Sequence, residues 1–322
     1  MGLVNRTYLS SELISRVLDR LPNGKRGAIT ASAEEICVAG IESDDGSFRW
    51  RLFDRLSEIS KNDDDHFFLV DSRPERFLIN LKDKFGPSKG LFVLKRQTEF
   101  SKVELAFELL NASHAPFQVI MDVGANIGTI CIPAVARNMC DRAVAIEPHP
   151  TNCRLLRANL ALNGVQDRVE VLEAAAGPID GEELQLEVSD SNWGDHRISV
   201  SQNVVQKAAS SKQIGVKSIS LDTAIGELGG ARAVVWMDVQ GYEGHVLAGA
   251  KELLRHRTPV VLEFDPHIIE QAKSFEPLLD ATANYDGFYN LNDRKIFRPV
   301  SELTAFRDEL AKRKSFTDIL LV

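Results

Sequence analysis

The chain has no excess of basic residues: 38 Lys and Arg stand against 46 Asp and Glu, a formal net charge of -8 over 322 residues. A broad cationic face for gripping phosphate backbones is therefore not expected, and neither is nucleic acid as the main partner. Cysteine is scarce as well. Cys37, Cys131, Cys140 and Cys153 form no CxxC pair and no Cys/His series at zinc-ligand spacing. Four such residues do not frame a disulfide scaffold, so reduced, mostly buried thiols in a cytoplasmic protein are expected. No set of His, Cys, Asp and Glu has metal-ligand spacing, and catalysis without a metal is expected. No apolar run reaches the roughly 20 residues that cross a bilayer, so no membrane association is expected. The opening MGLVNRTYLS lacks an apolar signal region. Gly2 does not begin a myristoylation signal, because Arg6 stands where that signal needs Ser or Thr. No fixed-period repeat is present, which excludes a solenoid.

What is present is ordinary globular material, 44% apolar and 26% charged, enough for a sizeable core. The length favours a full α/β unit with an appended segment. After Ser10 or Ser11, the stripe Leu13, Val17 and Leu21 predicts an amphipathic helix stopped by Pro22-Asn23-Gly24. From Glu34 to Lys95 short apolar runs, among them His66–Val70, Phe77–Asn80 and Leu91–Leu94, read as extended segments in small hairpins. The charged stretch Lys61–Asp65 reads as a loop.

A helix is predicted over Glu99–Leu110, with Val103, Ala106, Phe107 and Leu110 on one side, and a domain boundary near Asn111. Residues 1–111 then form an α+β accessory segment for lid, substrate recognition or dimerisation, and residues 112–322 the main domain; a homodimer is one expectation. Beyond the boundary, apolar runs alternate with helical patterns: strands at Val119–Val123, Ala143–Ile146, Val169–Leu172, Val234–Met237 and Val260–Leu262, with helices from Ile127, over Asn152–Leu162, and through Val246, Leu247, Ala250, Leu253 and Leu254. Such runs read as parallel strands buried on both faces. Gly287–Leu291 and Thr317–Val322 supply two more strands.

In an open α/β sheet the ligand lies beyond the carboxyl ends of the strands. Here those ends carry Asp122 to Gly128, Glu147, Glu173, Asp238 and Glu263. Gly124 and Gly128 permit a sharp turn and close backbone approach. The nicotinamide fingerprint needs a glycine where Asn126 stands, and a side chain there crowds a pyrophosphate. Asn126 can instead hydrogen-bond an amino-acid moiety, and Asp122 can face a cationic group. S-adenosylmethionine offers both and has no phosphate. Glu147 follows Gly128 by nineteen residues, about the offset of an acid that accepts ribose hydroxyls.

These residues resemble the FkbM-like family of class I methyltransferases. The likeness rests on DVGANIG at Asp122–Gly128, AIEPHPTNCRLLRANLALNG at Ala145–Gly164, LDTAI at Leu221–Ile225 and MDVQGYEGHVLAGA at Met237–Ala250, and it spans about Val119 to His267. It implies a Rossmann-like sheet of seven strands with an antiparallel last strand, the cofactor S-adenosylmethionine, and methylation of a hydroxyl on a sugar, glycan or secondary metabolite. By position it places Asp122, Gly124, Ala125, Asn126 and Gly128 at the methionine end, Glu147 and Pro148 at the ribose, and Glu173 and Ala174 beside adenine. Gln240 departs from the family, which commonly has Glu there.

Methyl transfer to a hydroxyl needs a base within hydrogen-bond reach. Asp238, leaving the fourth strand, ranks first as base or cofactor clamp; its other reading is a cap for the helix after Gly241. Glu243 points into the site or is a first-turn carboxylate favoured by the helix dipole. His267 is a base or a surface loop histidine. Asn192–Arg197 is a lid over the carboxyl edge or an ordinary hairpin turn. His245 and His256 face solvent or packing. Two other classes stay open at this point: a nicotinamide-dependent oxidoreductase, and a non-catalytic nucleoside-binding scaffold.

Overall fold

The computed structural model describes residues 46–59, 67–97, 99–111, 116–200, 212–293 and 296–322. The expected opening helix, the loop at Lys61–Asp65 and Cys37 lie outside the described residues. Those described fall into two compact units. One comprises the residues before Glu99 together with Asp190–Gly194, and the other Glu99–Ser189 with Asp195–Val322. The helix Phe100–Asn111 goes with the larger unit, whereas the sequence reading sets the boundary after it.

In the smaller unit, β1 (Phe67–Asp71) and β2 (Arg76–Asn80) form the expected antiparallel hairpin. Leu91–Leu94, however, is the last turn of a helix over Pro87–Leu94 rather than an extended run. Pro87 suits a first helical turn, where its missing N–H costs nothing. The Asp83 carboxylate just before it accepts the Gly86 and Ser88 amides at 3.0 and 2.9 Å. A second helix, Gly46–Ile59, falls within the stretch Glu34–Lys95 read as small hairpins. Leu52, Phe53 and Leu56 share its buried face, and Phe53 and Phe68 both meet the Phe92 ring edge-on.

The larger unit is built on one sheet of eight strands in the order β13-β12-β14-β11-β10-β3-β4-β5. These are β3 (Val119–Val123), β4 (Arg142–Ile146), β5 (Val169–Leu172), β10 (Ala233–Met237), β11 (Val260–Phe264), β12 (Gly287–Asn290), β13 (Phe297–Pro299) and β14 (Thr317–Leu321). Strands β3, β4, β5, β10 and β11 pair in parallel, and every residue of β3 and β10 is buried, as a strand covered on both faces requires. The chain's last strand, β14, inserts antiparallel between β11 and β12, as expected. The sheet exceeds the expected seven strands by β13, a short edge strand that carries Pro299, a residue tolerated only at edges.

Two helices differ from expectation. The one after β3 begins at Cys131 rather than Ile127, because Asn126 and Gly128 take left-handed backbone angles (φ 50° and 92°) and hold the intervening residues in turns. The helix through Val246–Leu254 is two, Glu243–Leu247 and Lys251–Arg255. A side chain at Gly249, between them, would collide with the Gly177 carbonyl, and the Asp222 carboxylate accepts the Glu252 and Leu253 amides at 2.9 and 3.2 Å. A second, four-stranded sheet is absent from the sequence reading: β6 (Ala175–Ala176), β7 (Glu183–Val188), β8 (Arg197–Ile198) and β9 (Lys212–Ile219), in the order β6-β9-β7-β8.

Candidate active site

Strand order reverses at β3: β4 and β5 lie to one side, β10 and β11 to the other. The topological switch point, where open α/β sheets bind ligands, is therefore the carboxyl end of β3 and β10. Met237 pairs with Val123 there, so Gly124 and Asp238 leave the sheet side by side. Gly124 has φ 84°, and a Cβ on it would collide with the Asp238 carbonyl. Its smallness thus serves packing between two strand tips. Gly128 likewise has φ 92°, and a Cβ there would press on Ile132 and Leu156 at 2.6 and 2.7 Å.

The loop is held from the tip of β4. Glu147, buried, accepts the Asn126 amide at 2.9 Å through one carboxylate oxygen. Its other oxygen accepts the His149 amide at 2.8 Å and the Asn152 side-chain amide at 3.4 Å. A carboxylate has about four lone-pair sites, so these three bonds leave capacity for a ligand hydroxyl. Desolvation pushes this carboxyl up to about 7. From the following helix, Pro150–Leu162, the buried Asn159 donates to the Ile127 carbonyl at 3.0 Å. Neither Asn152 nor Asn159 is a site residue in the sequence reading, although their seven-residue spacing sets both on one buried helix face.

Asp122, also buried, accepts the Cys131 amide at 2.9 Å and so caps the helix after the loop. Burial pushes it up to about 6. Ala125 is buried, while Pro148 and Ala174 are half-buried. Glu173 is exposed and pairs with Arg157 at 2.9 Å.

On the β10 side, Asp238 keeps an accessible carboxyl among closely set protein atoms. Desolvation, with Asp318 and Glu99 nearby, pushes it up to about 6. Gln240, at φ 55°, donates from one amide nitrogen to Asp238 Oδ1 at 2.7 Å and to Glu263 Oε2 at 3.1 Å. Glu263 lies opposite Asp318 across β11 and β14. Burial and the surrounding carboxyls push Glu263 up to about 10. Lys102 neutralises the outer part of this group, bonding both Asp318 and Glu99 at 2.5 Å.

The remaining candidates make no hydrogen bond to the Asp238 carboxyl among the described residues. Glu243 is fully buried and turns one oxygen onto the Val239 and Gly241 amides, both at 3.2 Å. That is the first-turn role, and burial pushes its carboxyl up to about 8. His267 is exposed on the helix Pro266–Gln271, with Nε2 2.9 Å from the Gln271 side-chain amide. The segment Asn192–Arg197 runs from the connection after β7 into β8, which begins at Arg197 and pairs antiparallel with β7. Within the smaller unit the Trp193 amide donates to Asp83 at 2.9 Å. His245 reaches the Ala272 carbonyl at 3.0 Å, and His256 lies 2.9 Å from Arg255. Cys131, Cys140 and Cys153 are free and buried. Among the described residues no group of three His, Cys, Asp or Glu is arranged to hold a metal, and no helix is long and apolar enough to cross a membrane.

Residues 122–289, more than half of the chain, match the sequence model of the methyltransferase FkbM domain. Among curated proteins the chain is similar to the 2-O-methyltransferase NoeI of Sinorhizobium fredii (strain NBRC 101917 / NGR234). The two are 24% identical over 196 residues, 58% of this chain and 79% of that protein. Among solved structures it is similar to an RNA methyltransferase from Salinibacter ruber in complex with S-adenosyl-L-homocysteine (TM-score 0.28, 17% identity, 50% of this chain and 74% of that one). Another is the precorrin-6y C5,15-methyltransferase from Geobacter metallireducens GS-15 (TM-score 0.34, 15% identity, 69% and 86%).

Proposed function

This chain belongs to the methyltransferase FkbM domain family and is an S-adenosylmethionine-dependent methyltransferase; from that premise we propose that it methylates a hydroxyl of a sugar, glycan or secondary metabolite. The observation that carries this reading is Asp238. Its accessible carboxyl stands beside Gly124 at the switch point and is pushed up to about 6, so it is ionised at neutral pH yet still basic enough to take a proton.

The chemistry of these strand tips suits the donor. Asp122 and the Gly124–Gly128 loop, with Ala125 and Asn126, take the methionine end, where an ammonium meets the carboxylate and a carboxylate meets backbone amides. Glu147, with Pro148 beside it, accepts the ribose hydroxyls through its remaining lone-pair capacity. Glu173 and Ala174 flank adenine at the tip of β5. S-adenosylmethionine supplies an electrophilic methyl on a sulfonium, and the acceptor must be aligned behind it. Such positioning can lower a barrier by about 7 to 11 kcal/mol in favourable cases. Asp238 holds the acceptor hydroxyl and takes its proton. His267 is a second candidate base on the same edge, and Glu243 supports the loop that carries Asp238.

The relative's name, a 2-O-methyltransferase, supports oxygen as the accepting atom. The net charge of -8 favours a small molecule or glycan over nucleic acid. A cytoplasmic location completes the reading, with residues 1–111 as the lid, substrate-recognition or dimerisation segment. The test is radiolabelled methyl transfer to a panel of oligosaccharides, polyols, carboxylic acids, amines and RNA. Label on hydroxyl compounds is expected; label confined to carboxylates, amines or RNA overturns the proposal.

A further inference from the structure

Gln240 stands in a backbone conformation that side-chain-bearing residues seldom adopt, φ 55°, immediately before Gly241 at φ 99°. A Cβ on Gly241 would meet the Ile268 carbonyl at 2.7 Å, so the turn is packed tightly. Left-handed backbone on an ordinary residue costs about 1 to 2 kcal/mol and persists where the surroundings impose it. What the conformation achieves is visible in the side chain. One amide nitrogen reaches Asp238 Oδ1 at 2.7 Å and Glu263 Oε2 at 3.1 Å. An amide NH2 carries two hydrogens and can serve both acids at once, whereas a carboxylate at this position would only accept.

We propose that Gln240 is a positioning residue of the transfer reaction: its amide clamps the Asp238 and Glu263 carboxyls together and so fixes the orientation and charge of the base that meets the acceptor hydroxyl. The proposal rests on the reading of Asp238 as that base. With Oδ1 held by Gln240, we assign proton acceptance to Oδ2. As the new C–O bond forms, the C–S bond breaks with its electrons going to sulfur, and the hydroxyl proton goes to Asp238. The charged neighbours are consistent with one ionised member of the pair. Asp238 faces Asp318 and Glu99, and Glu263 faces Asp238, Glu243, Asp318 and Asp265. Lys102 bonds Asp318 and Glu99. Within that field Glu263 is pushed up to about 10 and stays neutral, while Asp238, near 6 and bonded to Gln240, holds the charge.

The test titrates the carboxyl carbons of the full-length protein by NMR in wild type, Gln240→Leu, Gln240→Asn and Glu263→Gln. Asparagine tolerates left-handed backbone but is too short to span both acids. Circular dichroism and calorimetry with S-adenosylhomocysteine verify folding and donor binding. Loss of the clamp should raise the Asp238 titration by about one pH unit in both Gln240 variants, and the acid limb of kcat should move with it. Glu263→Gln, a neutral substitute of the same shape, should leave the Asp238 titration in place. An unmoved Asp238 titration in Gln240→Asn, with donor binding intact, overturns the clamp while leaving the methyltransferase reading standing. A large fall of that titration in Glu263→Gln also overturns it, by showing Glu263 ionised. Loss of pH-dependent transfer in wild type, with the clamp shift present, would instead remove Asp238 as the base.

Discussion

The Glu147 carboxylate accepts the backbone amide of Asn126 at 2.9 Å, so the tip of the second sheet strand holds the glycine loop that leaves the first. On the proposed reading the same acid also accepts a ribose hydroxyl, and one substitution tests the two roles together. Glu147→Ala removes both the ligand acceptor and the brace on a loop whose Asn126 sits at φ 50°. It should weaken S-adenosylhomocysteine binding by more than tenfold, about 1.4 kcal/mol. It should also lower thermal stability, because the Asn126 and His149 amides lose their acceptor. Calorimetry and thermal melts check the two parts; unchanged affinity would remove Glu147 from the donor site.

Asp238 stands at the end of β10 beside Gly124, and Gln240 is its bonded partner. Asp238→Asn preserves shape but cannot take a proton. It should lower kcat by about 100-fold or more, the usual range of a general base, while S-adenosylhomocysteine affinity changes much less. In wild type, kcat should fall as pH drops through about 6, where the carboxyl becomes protonated. Steady-state kinetics across pH 5 to 9 with a hydroxyl acceptor checks both statements. A fully active variant removes Asp238 from the chemistry.

Much of this site is legible along the chain because its carriers are strand tips. Val119–Val123 and Ala233–Met237 are buried on both faces and so read as apolar runs, the first interrupted only by Asp122, which locate Asp122, Gly124 and Asp238 without a structure. Glu147 follows from the same logic. What stays hidden depends on contacts between distant segments. Gln240 meets Glu263 only because β10 and β11 pair in parallel, and the break at Gly249 exists only because the Gly177 carbonyl packs against it. The alternation in Glu183–Val188 is a readable half-buried strand, but its partner Lys212–Ile219 lies far along the chain. Asn152 and Asn159 carried a signal, two polar residues on an otherwise apolar helix face among Leu155, Leu156 and Leu160.

Gly124 and Gly164 share left-handed backbone, φ 84° and 67°, but not surroundings. A Cβ at Gly124 collides with the Asp238 carbonyl, while at Gly164 it meets nothing within 4 Å. Gly164→Ala should cost only the backbone strain, about 1 kcal/mol, and leave donor binding intact. Gly124→Ala should cost more, since two strand tips must part, and should displace Asp238 from its place at the switch point. Denaturant unfolding of both variants, with donor titrations, checks the contrast. Equal destabilisation would show that the tips are less closely packed than described.

Glu243 gives the pH dependence of stability a definite sign. Its carboxyl is buried on the turn between Asp238 and its own helix, with Asp238 close enough to oppose its ionisation. Desolvation first, then Asp238, pushes it from an ordinary 4.5 to about 8. The folded state therefore binds a proton more tightly than the unfolded chain. Stability is greatest below pH 4.5 for this group and is lost as pH rises towards 8, by a few kcal/mol in order of magnitude. Asp122, Glu147 and Asp238, raised to about 6, 7 and 6, act in the same direction at lower pH. Glu243→Gln keeps the acceptor for the Val239 and Gly241 amides and removes the ionisation. Between pH 6 and 9 its melting temperature should fall less steeply than that of wild type, and at pH 9 the variant should be the more stable protein. Melts of both proteins across that range settle the sign, and parallel curves would mean that Glu243 does not titrate there.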